Sequence, residues 1–155
     1  MRLLKDILYK AGILEVSGST SAEITGVVFD SRQAEPGSLY VAVRGTQADG
    51  HAYIGQAVKS GAVAVVCEKL PDEIVPAVTY VRVQDSAEAL GIIAANFFDN
   101  PSEKLKLVGV TGTNGKTTTA HCVAAAAEAA DVPSAVLGTL GIRFREFHDY
   151  SGRTT

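Results

Sequence analysis

Long apolar runs are missing from the 155-residue sequence. No stretch approaches the roughly 18 consecutive apolar residues of a membrane-spanning helix. Lys5, Asp6 and Lys10 interrupt the N-terminal segment, which therefore does not read as a signal peptide. Proline is also scarce, and a composition of 46% hydrophobic and 20% charged residues excludes a disordered chain. We therefore expect a soluble, cytoplasmic protein with a packed core.

Cysteine is rare, and charge of one sign is nowhere concentrated. Cys67 and Cys122 lack CxxC spacing, and the three histidines form no cluster typical of metal ligands, so we expect both cysteines to be reduced core residues. The formal net charge is −3, without a block of like charges. This pattern excludes nucleic acid and anionic membranes as expected partners, so any anion must be bound locally.

Strand-like and helix-like segments alternate over residues 1–100. A short amphipathic helix opens the chain and ends at Gly12. β-Branched or alternating apolar runs predict strands at 23–30, 38–45, 62–68 and 79–83. Apolar positions at helical spacing predict helices that begin at Asp49 and Asp85, two residue positions suited to N-caps. The alternation predicts an α/β domain with mostly parallel strands.

A second unit follows the polar Asn-Pro connection at 99–104. The sequence there predicts a strand at 105–110, a glycine-rich loop, an alanine-rich helix at 117–130 and a strand at 134–140, which together would form one βαβ unit. Residues 101–155 are too few for a complete doubly wound sheet. We therefore predict two domains, 1–100 and 101–155, with the second one incomplete.

The glycine-rich loop has the form G-x-x-G-K-T and is predicted to bind a nucleotide phosphate. Backbone amides of such a loop and of the following helix N-terminus converge on phosphate oxygens, a lysine adds a mobile positive charge, and a threonine hydroxyl coordinates Mg²⁺. A strict P-loop has a further glycine where this sequence has Val110. A plain tight turn is the alternative, although a lysine at a helix start is opposed by the helix dipole unless an anion compensates. The predicted ATP-binding residues are Gly112, Thr113, Asn114, Gly115, Lys116, Thr117 and Thr118, with Lys116 as the catalytic candidate and Thr117 as the Mg²⁺ ligand.

The motif TGTNGKTTT at 111–119 resembles the ATP loop of the Mur ligases, the amide-forming synthetases of peptidoglycan precursors. The segment from FDSRQ to GAVAVV at 29–66 is similar to the UDP-binding domain of the members that add the third peptide residue. The segment VLGTLGIRF at 136–144 and the terminal Arg-Thr-Thr favour the same members. The resemblance implies an N-terminal UDP-binding α/β domain, followed by the first βαβ unit of a truncated P-loop ATPase central domain.

The resemblance also implies roles for individual residues. The uridine diphosphate end of the substrate would be held by Phe29, Ser31, Arg32, Thr46, Gln47 and Ala48, and the muramoyl-peptide portion by Thr154 and Thr155. Taken in isolation, Asp30-Ser31-Arg32 would read as a polar turn. The Asp49-Gly50-His51 element is better explained as the start of a helix than as a catalytic group.

The reaction implied by the resemblance consumes ATP. The γ-phosphoryl group would pass to the D-glutamate carboxylate of UDP-N-acetylmuramoyl-L-alanyl-D-glutamate, and the acyl phosphate would be attacked by the amine of meso-diaminopimelate or L-lysine. In the family the remaining metal ligands and the amino-acid site lie downstream of Thr155, so we expect these residues alone to be inactive, and monomeric. Two other interpretations stay open: a free-standing UDP-recognition module over residues 1–100, and an unrelated small P-loop NTPase.

Overall fold

The computed structural model describes residues 1–45 and 48–150 and divides into two compact units, Met1–Lys106 and Leu107–Thr155. The strands of the first unit are β1 (Arg2–Leu3), β2 (Ile13–Ser17), β3 (Glu23–Ile24), β4 (Gly26–Val28), β5 (Ser38–Val41), β6 (Ala64–Cys67) and β7 (Thr79–Val83). Its α-helices are α1 (Leu4–Ile7), α2 (Ile54–Lys59) and α3 (Ser86–Phe97), and its 3-10 helices span Ser31–Gln33, Gly50–Tyr53 and Pro101–Lys104. The second unit contains α4 (Lys116–Ala129), β8 (Ala135–Gly138), β9 (Gly141–Phe144) and β10 (Phe147–Asp149).

A five-stranded sheet in the order β2-β7-β6-β5-β4 forms the centre of the first unit. Strands β4 to β7 are parallel, and β2 joins β7 antiparallel at one edge. Because parallel strands point the same way, the segments that follow β4, β5, β6 and β7 all leave from one edge of the sheet, which we call the carboxyl edge. The predicted α/β class with mostly parallel strands is confirmed.

Both faces of this sheet are covered, which explains the nearly continuous apolar runs of its strands. On one face, α1 and α3 pack against alternate strand residues such as Leu39, Val66 and Val81. On the other face, α2 packs against the intervening residues, including Tyr40 and Val65. Alternation of side chains along each strand therefore supplies two cores from one sheet.

Two helix starts of the first unit agree with the sequence prediction, whereas β1 and β2 were not predicted, the strand predicted at 23–30 is divided into β3 and β4, and α1 ends before Gly12. The Asp85 carboxylate accepts the N–H groups of Ala87 and Glu88 at 2.9 Å, and the Asp49 carboxylate caps the 3-10 turn that leads into α2. Strand β2 was not predicted, and all five of its residues are exposed. Only its pairing with β7 makes it a strand.

The second unit is an α-helix packed on a three-stranded antiparallel sheet in the order β10-β9-β8. The predicted strand at 105–110 forms no ladder with any described strand, and Leu107 and Val108 are exposed. Its expected neighbour β8 instead forms a hairpin with β9. Parallel pairing is slightly weaker per residue than antiparallel pairing and needs cover on both faces, whereas here α4 covers one face.

Helix α4 also corrects the prediction for one cysteine. Its fully buried residue is Ala124, and Cys122, two positions earlier, lies on another face of the helix and is exposed. Cys67 is buried as predicted, and burial raises the pKa of its thiol to about 11. Among the helices in the described part of the chain, none combines the length and apolar character that crossing a bilayer requires.

Candidate functional site

The glycine-rich loop at 112–115 turns the chain into α4. Gly112 and Gly115 have φ angles of +146° and +76°. Side chains are strained at such angles. A Cβ atom at Gly115 would meet no atom within 4 Å, so the backbone angle, rather than lack of space, explains this glycine.

The N-terminus of α4 has the properties of an anion site. Gly115 is its N-cap, and no side chain of residues 1–45 or 48–150 caps it. The Thr119 N–H donates to the Gly115 carbonyl at 2.9 Å. The helix itself leaves the preceding amides, those of Lys116, Thr117 and Thr118, without acceptors, and the helix dipole adds partial positive charge at the same place.

The Lys116 ammonium lies over this loop. Its Nζ donates to the carbonyl oxygens of Gly112 at 2.6 Å and of Thr113 at 3.4 Å. The side chains of Thr113 and Asn114 are exposed. The structure thus brings together the positive charge, the glycine backbone and the helix N-terminus that the sequence motif predicted.

A cleft of about 480 Å³ adjoins the start of α4 and is lined by Lys116, Thr117 and the β8–β9 turn. In that turn, the hydroxyl of Thr139 lies 3.4 Å from the hydroxyl of Thr117. Thr139 was not singled out from the sequence, because its neighbourhood depends on the hairpin that follows β8. Two hydroxyls beside a lysine and unpaired amides suit the phosphates of a nucleotide.

The same residues fit a magnesium ion bound through phosphate. The described residues contain no group of three or more His, Cys, Asp or Glu side chains suited to a metal ion. Mg²⁺ usually keeps several waters and takes few protein ligands when phosphate oxygens supply the rest, and a threonine after the loop lysine is a typical one. Thr117 occupies that position.

In the first unit, the described members of the predicted uridine-binding set follow strands of the sheet at its carboxyl edge. Val28 of β4 pairs with Tyr40 of β5. The segment Phe29–Arg32 after β4 and Ala48 after β5 therefore leave from adjacent strands. Ligands of open α/β sheets bind outside the carboxyl ends of the strands, so this placement is compatible with a binding site.

Ser31 and Arg32 make different contacts in the 3-10 turn after β4. Ser31 is buried, and its hydroxyl donates to the side-chain oxygen of Gln56 in α2 at 3.3 Å. Arg32 forms a two-point ion pair with Asp30 at 2.9 and 2.7 Å, and these hydrogen bonds raise the pKa of Arg32. Phe29 is half exposed. Gln56 was not predicted, because it lies 25 residues from Ser31.

Backbone contacts join the two ends of the loop after β5, which we call the 44–49 loop. Arg44 and Asp49 form an antiparallel bridge, and the Gly45 N–H donates to the Ala48 carbonyl at 2.9 Å. Ala48 is exposed. At the end of the loop, the Gly50 carbonyl accepts a hydrogen bond from the buried Tyr40 hydroxyl at 2.9 Å.

Charged groups connect the 44–49 loop to the next strands. Arg44 Nε lies 3.2 Å from the Glu68 carboxylate, just after β6. Hydrogen bonds from Ser86 hold the pKa of Glu68 below its ordinary value, with smaller contributions from Arg44 and His51. Hydrogen bonds from His51 likewise lower the pKa of Asp49.

Four predicted ligand residues lie outside the described residues. They are Thr46 and Gln47 in the 44–49 loop, and Thr154 and Thr155 at the end of the chain. The remaining predicted residues fall in two groups, one in each unit.

Comparison with known protein families supplies the context for these two groups. Residues 23–98 match the family model described as Mur ligase family, catalytic domain, and residues 110–155 match the model described as Mur ligase middle domain. The chain belongs to the Mur ligase family. The glycine-rich loop thus lies in the middle domain of a Mur ligase.

Curated Mur ligases are similar over most of the chain. The UDP-N-acetylmuramoyl-L-alanyl-D-glutamate--2,6-diaminopimelate ligase of Cytophaga hutchinsonii is 56% identical over 117 residues, covering 75% of this chain and 24% of the relative. The ligase of the same name from Chlorobium phaeobacteroides is 41% identical over 98% of this chain and 30% of its own length. The chain therefore spans about a quarter to a third of the length of these relatives.

Solved structures agree on the fold. A UDP-N-acetylmuramoyl-L-alanyl-D-glutamate--2,6-diaminopimelate ligase has a TM-score of 0.75 at 22% identity, over 97% of this chain and 30% of that chain. The MurF ligase of Thermotoga maritima, solved in complex with ADP, has a TM-score of 0.51 at 27% identity, over 70% of this chain and 24% of that chain.

Proposed function

We propose that this chain is the N-terminal part of an ATP-dependent amide ligase that adds the third amino acid to UDP-N-acetylmuramoyl-L-alanyl-D-glutamate. The first unit, corresponding to the predicted domain 1–100, would bind the uridine diphosphate end. The second, corresponding to the predicted domain 101–155, would bind ATP. The names of the curated relatives favour 2,6-diaminopimelate over lysine as the added amino acid.

The observation that carries the proposal is the start of α4. An uncapped helix N-terminus follows two glycines with positive φ, and the lysine at its first position lies over the loop carbonyls. Bound phosphate would replace Gly112 and Thr113 as the acceptors of Lys116, while the first amides of α4 would donate to other phosphate oxygens. The ADP complex of the Thermotoga maritima ligase supports a nucleotide at this fold.

These residues have defined parts in the proposed reaction. Phosphoryl transfer depends on positioning and on neutralisation of charge, which Lys116 and the loop amides would provide at the transferred group. Mg²⁺, bound next to Thr117, would polarise the phosphate oxygens. Ser31 and Arg32 would hold the uridine diphosphate end of the substrate.

Binding is the appropriate test, because the chain spans only part of its relatives. We expect isothermal titration calorimetry to detect both UDP and Mg·ATP binding to the chain. Lys116→Ala should weaken Mg·ATP binding by about 10- to 100-fold, since a charge-assisted hydrogen bond contributes about 1.5–3 kcal/mol. It should leave UDP binding unchanged.

The matched control is Lys106→Ala, which removes the same charge from an exposed position before the loop. It should leave Mg·ATP binding within about twofold, because Lys106 is not part of the loop and an exposed charge is largely screened by salt. Equal losses in the two variants would contradict a specific role for Lys116. Binding of ATP without UDP would contradict the proposed uridine diphosphate site of the first unit, and binding of UDP without ATP would contradict the proposed ATP site at the start of α4.

A further inference from the structure

The imidazole of His51 connects two segments of the first unit that are far apart in the sequence. Its Nδ1 lies 2.6 Å from Asp49 Oδ1, and its Nε2 accepts the Glu68 N–H at 2.9 Å, across 17 residues of sequence. Because Nε2 accepts from an amide, the ring proton is assigned to Nδ1, which donates to Asp49. The side chain is only 14% exposed.

The hydrogen-bonded chain continues beyond Glu68. The Glu68 carboxylate accepts the N–H of Ser86 at 3.2 Å and its hydroxyl at 2.8 Å, at the start of α3. Asp49, His51, Glu68 and Ser86 therefore connect the segments that follow β5, β6 and β7. Every link lies along the carboxyl edge of the sheet.

This connection exceeds what the start of a helix requires. Asp49 already caps the 3-10 turn through the backbone N–H of His51 at 2.9 Å, and any residue with an N–H at position 51 would satisfy that cap. The bond from Glu68 needs a side-chain acceptor at the distance of Nε2. It therefore requires an explanation other than helix initiation.

We propose that His51 is a positioning residue that sets the affinity for the uridine diphosphate ligand by fixing Asp49, and with it the neighbouring Ala48, against Glu68. The inference rests on the proposed function, in which Ala48 contacts that ligand. A loop held in its binding conformation loses less conformational entropy on binding, so affinity rises without any contact between His51 and the ligand.

Two substitutions separate the two bonds of the imidazole. His51→Asn keeps an amide near Nδ1 but does not reach Glu68, whereas His51→Gln places an amide oxygen near the position of Nε2. We expect His51→Asn to weaken UDP binding about tenfold or more, and His51→Gln to stay within about threefold of the unmodified chain. Mg·ATP binding should not change in either variant.

A stability control excludes a general effect of unfolding. Asn96→Ala removes the hydrogen bonds from Asn96 Nδ2 to the carbonyls of Ile7 and Tyr9, at the other end of α3. It should lower the unfolding midpoint and leave UDP affinity unchanged. In the unmodified chain, long-range ¹H–¹⁵N spectra should show the proton of His51 on Nδ1.

The possible results distinguish failure of the proposed function from failure of the positioning role. If the unmodified chain binds no UDP, the proposed function fails, and this inference fails with it. Three results would overturn the positioning role alone, provided that the unmodified chain binds UDP. They are an affinity of His51→Asn equal to that of the unmodified chain, a loss of affinity in His51→Gln as large as in His51→Asn, and a loss in Asn96→Ala as large as in His51→Asn. A proton on Nε2 would also overturn it.

Discussion

Gly50 begins the 3-10 turn that leads into α2, and a methyl group at this position should be costly. A Cβ atom there would lie 2.8 Å from both the backbone N and O of Val43. These are backbone atoms of the segment next to β5, so neither can rotate away. Relief of the overlap requires Gly50 to move by several tenths of an ångström.

The movement would affect two hydrogen bonds. The Gly50 N–H donates to the Val43 carbonyl at 2.9 Å, and the Gly50 carbonyl accepts from the buried Tyr40 hydroxyl at 2.9 Å. Overpacking costs about 1–3 kcal/mol, and a lost hydrogen bond about 0.5–1.5 kcal/mol. We therefore expect Gly50→Ala to lower the free energy of unfolding by about 2–4 kcal/mol, a large part of the roughly 5–15 kcal/mol typical of a domain.

Urea unfolding followed by tyrosine fluorescence measures this effect. Tyr150 is the one tyrosine outside the first unit, and the sequence has no tryptophan, so the signal reports mainly on the unit that contains Gly50. The matched control is Gly91→Ala, the same substitution in the interior of α3, where a Cβ atom would meet nothing within 4 Å. This control should stabilise the unit by about 0.5–1 kcal/mol.

The two glycine variants should move in opposite directions. If Gly50→Ala is as stable as the unmodified chain, the backbone of Val43 does not lie as close to Gly50 as described. If Gly91→Ala destabilises as much as Gly50→Ala, the effect is not due to the contact with Val43.

Three further predictions concern the first unit and the cysteines. Tyr40→Phe should lower the free energy of unfolding by about 1–2 kcal/mol, because the Gly50 carbonyl loses its donor; no change in urea midpoint would contradict this. Ellman's reagent should label Cys122 rapidly in the native chain and Cys67 only after unfolding. The thiol of Cys122 is exposed, whereas that of Cys67 is buried and has a pKa raised to about 11. Rapid labelling of both cysteines would contradict the burial of Cys67. Because the pKa of Glu68 is lowered in the folded chain, its ionised carboxylate stabilises the fold fully above pH 4.5, its ordinary pKa, and this contribution is lost as the pH falls below that value. Glu68→Gln should therefore reduce the difference in unfolding free energy between pH 7 and pH 3. An unchanged difference would argue against this role of Glu68.

Sequence patterns predicted the structure correctly where its physical cause lay within a few neighbouring residues. The caps at Asp49 and Asp85 depend on carboxylates within three residues of the amides they accept, and the turn at Gly112 and Gly115 depends on backbone angles that glycine tolerates. The same reasoning found strand Thr79–Val83 with its observed bounds, because a β-branched run buried on both faces is recognisable without its neighbours.

Local patterns failed where a partner strand or helix face decided the outcome. Strand β2 is a strand through its pairing with β7, and residues 105–110 have the composition of a strand but no ladder among the described residues. Cys122 has an apolar sequence environment but is exposed, because a helix packed on one side buries only one stripe of its surface.

The sequence by itself determined the family and the glycine-rich loop, because the family's motifs are local and the turn depends on glycines that tolerate positive φ angles. Only the tertiary structure decided which side chains support the two candidate sites. Gln56 reaches Ser31 across 25 residues, His51 reaches Glu68 across 17, and Thr139 reaches Thr117 across 22. Such contacts depend on which strands are neighbours, and hydrogen bonds that bridge separate segments leave no periodic trace in a single sequence.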